Sequence, residues 1–225
     1  ADMHAATALI AGATLEAART VWSGEHDHAI NIAGGLHHAM ADSAAGFCVY
    51  NDLAVGISWL LANGAQRVVY IDVDVHHGDG TAELCAADPD VFTFSMHAAR
   101  NYPAVKPASD LDVALPDGTG DDAYLDALAA HLPQAIDRAR ADAVVYLAGA
   151  DPYVGDRLGH LALSKAGLAE RDRQVLAACR RHGLPLAVCM AGGYAPDVED
   201  IVDIHAATVK SAAGPHRALR GGFVG

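Results

Sequence analysis

Carboxylates and an imidazole recur at every second position in Asp72-Val-Asp-Val-His-His-Gly-Asp-Gly80. In an extended segment alternate residues share a face. Asp72, Asp74 and His76 would therefore point one way, while Val73 and Val75 enter the packing layer. A row of carboxylate and imidazole donors suits a divalent cation. Gly78-Asp79-Gly80 alone would read as turn chemistry, but a turn does not require the preceding D-x-D-x-H. Asp151 is the natural third protein ligand: it follows an apolar run and two small residues, Gly149 and Ala150, that let backbone come close. A plain strand-end cap is the other reading of this aspartate. Three protein ligands with open positions is the catalytic arrangement. Two aspartates and a histidine, without thiolate, accept Zn²⁺ but equally Fe²⁺ or Mn²⁺.

Two further elements bear on proton transfer. His37-His38 follows Gly34-Gly35 at the end of an apolar run, and each imidazole could be oriented by a buried carboxylate, for which Asp72 and Asp79 are available. Such pairing tunes an imidazole for proton transfer near neutral pH. Tyr194, after Gly192-Gly193, carries a hydroxyl that could donate to an oxyanion, although a packed rim tyrosine is the ordinary alternative.

Groups so far apart in the chain must be brought together by the fold. Five short apolar runs read as strands buried on both faces: Ala29–Ile32, Val68–Val73, Val91–Ser95, Ala143–Ala148 and Leu186–Met190. Between them lie helical stretches, roughly Ala5–Trp22, Leu53–Ala62, Tyr124–Arg140, Lys165–Arg181 and Val198–Ala212. Pro133 is expected to kink or split the third, and Ser164 to cap the fourth. Asn101–Gly120, with three prolines, reads as the longest irregular stretch. Alternating strands and helices predict an α/β class domain, a three-layer α/β/α arrangement with a mainly parallel central sheet. The polar residues above all fall just past strand ends, where open parallel sheets form their sites.

Composition bounds the rest. The chain has 225 residues and reads as a single domain, 1–225. Its formal charge of −13 argues against direct binding of nucleic acid, which needs a basic face. No apolar run approaches the roughly 20 residues of a membrane span, and the first residues lack the basic start and apolar stretch expected of a signal peptide. Cys48, Cys85, Cys179 and Cys189 form no C-x-x-C pair and read as buried thiols of a cytoplasmic protein.

The ordered set Gly34-Gly-Leu-His-His-Ala39, Gly46-Phe-Cys-Val-Tyr-Asn-Asp52, Asp72–Gly80, Gly149-Ala-Asp151 and Gly192-Gly-Tyr194 resembles the histone deacetylase superfamily, which also includes acetylpolyamine amidohydrolases and acetoin-utilisation proteins. The segment from Tyr102 to Asp121 is most similar to its class IV branch and bacterial relatives. The resemblance implies an arginase/deacetylase-like fold and a metal-dependent amidohydrolase acting on an acylated lysine, a polyamine or a small amide, with an acyl group of acetyl length or longer. It implies that Asp74, His76 and Asp151 bind Zn²⁺, or Fe²⁺ in its place. It implies that His38, paired with Asp79, is general base and then acid, that His37, paired with Asp72, gives electrostatic support, and that Tyr194 polarises the substrate carbonyl. Phe47 and Tyr102 would wall a narrow acyl tunnel, and the backbone of Gly46 would contact the substrate amide. A structural K⁺ would lie against Asp72, Asp74, His76, Ser95 and Met96.

Members of that family carry a further strand and a lip loop before the first matching helix, so the chain is expected to be a trimmed or shortened form lacking that N-terminal segment. Two rival readings are an arginase-like hydrolase with two metals, and a non-catalytic relative that binds acylated ligands. The first would need a second D-x-D after a later strand, whereas Asp151 is followed by Pro152. The second would be free to lose any of the six reactive side chains, and all are present.

Overall fold

Three strands have every residue buried: β2 (Val68–Asp72), β5 (Ala143–Ala148) and β6 (Leu186–Met190). That pattern requires helices over both faces of a sheet, and the computed structural model, which describes residues 2–214, has them. The strands form one six-stranded sheet with every pairing parallel, in the order β1-β6-β5-β2-β3-β4. β1 is His28–Asn31, β3 Val91–Ala98 and β4 Leu111–Leu115. Six helices cover it: α1 (Met3–Trp22), α2 (Asp52–Ala62), α3 (Asp79–Cys85), α4 (Asp121–Ala139), α5 (Lys165–His182) and α6 (Val198–Ala212).

The two apolar layers follow from strand alternation. Val69, Ile71, Val144, Tyr146 and Val188 join Leu128, Leu168, Leu176 and Ile204 of α4, α5 and α6 on one side. Val68, Tyr70, Val145, Leu147 and Ala187 join Ala18, Leu53, Ile57 and Leu60 of α1 and α2 on the other. This is the expected three-layer α/β/α fold. Among the described residues no helix is long and apolar enough to cross a membrane, and all four cysteines are free and buried.

Strand order fixes where a site can form. From β2 the chain winds outward through β3 and β4, then returns to the other side of β2 through β5 and β6. The winding reverses between β2 and β5, and at such a point the carboxyl ends of adjacent strands splay into a crevice.

Three expectations are corrected and one short helix is added. The stretch Asn101–Gly120 is not wholly irregular, because Leu111–Leu115 pairs with β3 as an edge strand. Its alternating burial reflects cover on one face only. β3 runs on to Ala98, since Ser95 and His97 find polar partners inside the fold. A short helix, α3, begins at Asp79. Finally, α4 passes through Pro133 as one helix. Pro133 and Ala129, whose carbonyl the proline leaves without its donor, both lie on the exposed face, where water can satisfy the oxygen. Ser164 caps α5 as expected, its hydroxyl accepting from Gly167 N–H.

Candidate metal and proton-transfer site

β2 ends at Asp72, but its alternation continues. Val73 and Val75 are fully buried in the apolar layer, while Asp72, Asp74 and His76 face the crevice. Asp151 arrives from the end of β5. One ligand atom from each of Asp74, His76 and Asp151 lies within 4.8 Å of the others. His76 Nδ1 stands 3.0 Å from Asp74 Oδ1 and 3.1 Å from Asp151 Oδ2.

Both carboxylates are held by backbone. Asp74 Oδ1 accepts from His76 N–H at 2.9 Å and its Oδ2 from Gly192 N–H at 3.1 Å. Asp151 Oδ1 accepts from Val75 N–H at 2.9 Å. The close approach of Gly192 excludes a side chain there: a Cβ would stand 2.1 Å from Asp151 Oδ2. The donor set fits a divalent cation. Two fully buried carboxylates and one imidazole converge on a point, and without further positive charge the pair cannot both ionise comfortably. Burial and the charge on Asp74 push Asp151 up to about 7. Burial disfavours charge on Asp74, but His37 and His76 outweigh it and hold Asp74 low. Burial likewise opposes charge on His76, yet the two carboxylates raise it to about 10, so the cluster favours positive charge at this point.

The two adjacent histidines part to different carboxylates. His37 Nδ1 lies 2.8 Å from Asp72 Oδ2, and His38 Nδ1 lies 2.6 Å from Asp79 Oδ1. The rings are 4.0 Å apart, and His38 is 5.9 Å from the His76 ring. With both Nδ1 atoms committed, Nε2 is the nitrogen that each can offer. Burial lowers His37, but the charges of Asp72 and Asp74 and the Asp72 bond overcome it and raise it to about 9. Burial together with the His37 charge lowers His38. The two imidazoles are thus shifted in opposite directions, and the lowered one, His38, is the better suited to accept a proton as a general base.

Sequence reasoning missed what supports this pair. Asp52, fully buried at the start of α2, accepts from Gly35 N–H at 3.1 Å, Leu36 N–H at 2.7 Å and Thr14 Oγ1 at 2.5 Å. It fixes the turn that carries His37. Asn51 caps α2 and donates to Ala39 O at 3.2 Å. An acidic residue in a first helical turn ordinarily signals only the helix dipole, so the Asn51-Asp52 pair gave no distinguishing sign of this second duty.

The remaining expected residues gather at the mouth. Gly46 has φ +52°, and a Cβ there would stand 2.3 Å from His38 Cδ2. Phe47 also adopts positive φ, 66°, and is 83% exposed. Its ring is 6.2 Å from that of Tyr194. The Tyr102 ring meets His38 edge-on at 4.9 Å. Tyr194 is clamped through its peptide, its N–H donating to Asp156 Oδ2 at 2.6 Å and its carbonyl accepting from Arg157 Nε at 3.0 Å. Burial and the nearby carboxylates of Asp74 and Asp151 raise its hydroxyl, so it stays protonated as a donor. Ser95 is buried and in register with Asp72, but its hydroxyl pairs with His97 Nδ1 at 3.0 Å. Met96 is buried in the apolar layer. A second trio, His77, His97 and Asp112, also clusters within 4.8 Å, with His77 Nε2 already 3.2 Å from Asp112 Oδ1.

Comparison with known proteins is consistent with this geometry. A family model described as "Histone deacetylase domain" matches residues 1–209. An uncharacterised protein of Picosynechococcus sp. is 47% identical over 84% of this chain and 63% of its own. Histone deacetylase 2 of Oryza sativa subsp. japonica is 39% identical over 82% of this chain and 37% of its own. Among solved structures, an acetylpolyamine aminohydrolase from Burkholderia pseudomallei superposes with a TM-score of 0.79 at 27% identity, covering 91% of this chain and 61% of that one. The chain therefore spans less than two thirds of the length of each of these relatives.

Proposed function

The chain belongs to the histone deacetylase family, and we propose that it works within that family as a metal-dependent amidohydrolase, cleaving an acyl group from an amine. The observation that carries this reading is the convergence of Asp74, His76 and Asp151 within 4.8 Å, beside an imidazole already paired to its own carboxylate. Asp74, His76 and Asp151 would hold the ion, with Zn²⁺ and Fe²⁺ both suited to the donors. A divalent ion bound there supplies Lewis acidity toward the substrate carbonyl and lowers the pKa of a water.

The chain's own residues do the rest. His38, neutral and turned by Asp79, takes a proton at Nε2 from the attacking water. It then returns the proton to the departing amine nitrogen as the carbon–nitrogen bond breaks, leaving a carboxylate and a free amine. His37, held by Asp72, gives electrostatic support to negative charge that develops beside it. Tyr194 donates its hydroxyl to the tetrahedral oxyanion. Phe47 and Tyr102 line the approach of the acyl chain, and Gly46 offers backbone to the substrate amide. Membership of the family also supports a K⁺ held by backbone and side-chain oxygens of Asp72, Asp74 and His76 with Ser95 and Met96. The name of the Burkholderia relative supports an acylated amine as substrate, with acyl-lysine and acyl-polyamine both within that class.

The test is hydrolysis of a fluorogenic acyl-lysine series, from acetyl to long chain, run as purified, after chelation, and after return of Zn²⁺ or Fe²⁺. Release that chelation abolishes and metal restores is the expected result. Release that survives full removal of metal would sink the reading.

A further inference from the structure

Arg171 is the largest fully buried side chain among the described residues, and nothing assigned so far uses it. It lies on α5, beneath the sheet, on the face opposite α1 and α2. Its guanidinium pairs with Asp172, Nε donating to Oδ1 at 2.8 Å. Asp172 is buried too and is held from two other elements, by Tyr146 of β5 at 2.6 Å and by Thr208 of α6 at 2.5 Å. Such a buried pair is weak evidence of stabilisation, because desolvation offsets most of the attraction. What distinguishes this one is where the rest of the guanidinium points. Nη1 donates to Gly149 O at 2.7 Å and to Val73 O at 3.3 Å. Val73 stands between Asp72 and Asp74, and Gly149 two residues before Asp151.

The strand ends explain why these two carbonyls need a donor. Among the described residues the last backbone rung between β2 and β5 joins Val73 N–H to Leu147 O at 3.2 Å. Beyond it the strands part to open the crevice, so Val73 O and Gly149 O lose the ladder. Buried carbonyls without donors are costly. A planar fork with five N–H groups reaches both from one side while keeping its own counter-ion, which a lysine ammonium cannot do with the same geometry.

We propose that Arg171 is a positioning residue that sets the gap between the two ligand-bearing strand ends and so tunes the affinity for the divalent ion. This rests on the metal reading above. Asp172 anchors the guanidinium and is itself held by Tyr146 and Thr208; of these four side chains, Arg171 is the one that donates to the carbonyls of the ligand loops.

The experiment uses the full chain and Zn²⁺ as probe. The zinc dissociation constant is measured by competition with a chromophoric chelator, and the melting temperature of the metal-free protein is measured beside it, for wild type, Arg171→Lys, Asp172→Asn and Thr208→Val. Arg171→Lys is expected to weaken zinc binding about 10- to 100-fold, the range for losing a group that orients a ligand. Thr208→Val removes an anchor bond without touching the carbonyls, and should lower the melting temperature while leaving the zinc constant unchanged. An unchanged constant in folded Arg171→Lys overturns the proposal, as does an equal loss in Thr208→Val, which would mean that affinity merely follows stability. If Arg171→Lys does not fold, Asp172→Asn carries the test, since it loosens the guanidinium without removing a heavy atom. A several-fold weaker constant there supports the proposal and an unchanged one overturns it. Wild type that binds no zinc defeats the metal reading itself, a result distinct from all of these.

Discussion

The floor of the crevice and its mouth are built on opposite plans. On the floor, Asp74, His76 and Asp151 are buried, and the carboxylate oxygens of the two aspartates accept from three N–H groups on two different segments. At the mouth, Phe47 and Tyr102 are 83% and 45% exposed, on connecting loops rather than strand ends. A floor so over-determined tolerates no drift of its ligand atoms. A mouth of exposed apolar side chains can change without disturbing what lies below. On the proposed function, reaction type would be tied to the sheet and substrate choice to loops.

Four substitutions test that division, in falling order of effect. Asp74→Ala should remove bound metal entirely and activity with it; full metal content by elemental analysis would break the comparison at its base. His38→Ala should leave metal content unchanged and lower kcat by about 10²- to 10⁴-fold, the usual contribution of a positioned proton-transfer group. Near-normal turnover in that variant would remove His38 from its role. Tyr194→Phe, again with metal retained, should lower kcat by roughly 10²- to 10³-fold as one oxyanion donor is lost. Phe47→Ala should change stability by no more than about 0.5 kcal/mol, as for an exposed side chain. Its effect belongs in KM and in the preferred acyl length, and a collapse of kcat instead would place Phe47 with the floor.

Much of this was legible in the sequence because it is periodic or local. The buried strands read as unbroken apolar runs, and the D-x-D-x-H alternation survives past the point where β2 stops pairing. What escaped was neither. β4 hides between prolines as Leu-Asp-Val-Ala-Leu, half exposed because it closes an edge. α3 spans seven residues and has no room for a helical apolar stripe. The bonds by which Asp52 fixes the His37 turn join residues 17 and 16 apart, with no periodic signal. Arg171 stands within Ala-Glu-Arg-Asp-Arg-Gln, a run that looks like a solvated helix face. Only the tertiary packing turns this one arginine inward.

The sheet order carries a consequence for how the molecule comes into being. β1, which leads into the His37-His38 turn, has β6 as its one neighbour among the described strands. β6 in turn leads into Gly192 and Tyr194. During synthesis from the N-terminus, β2, β3 and β4 can meet early, whereas β1 must wait for a strand made near the end. The two histidines and the tyrosine are therefore locked in together, at closure. A nascent or truncated chain that ends before β6 would keep Asp74, His76 and Asp151 and still lack Tyr194 and the strand that holds β1 in place.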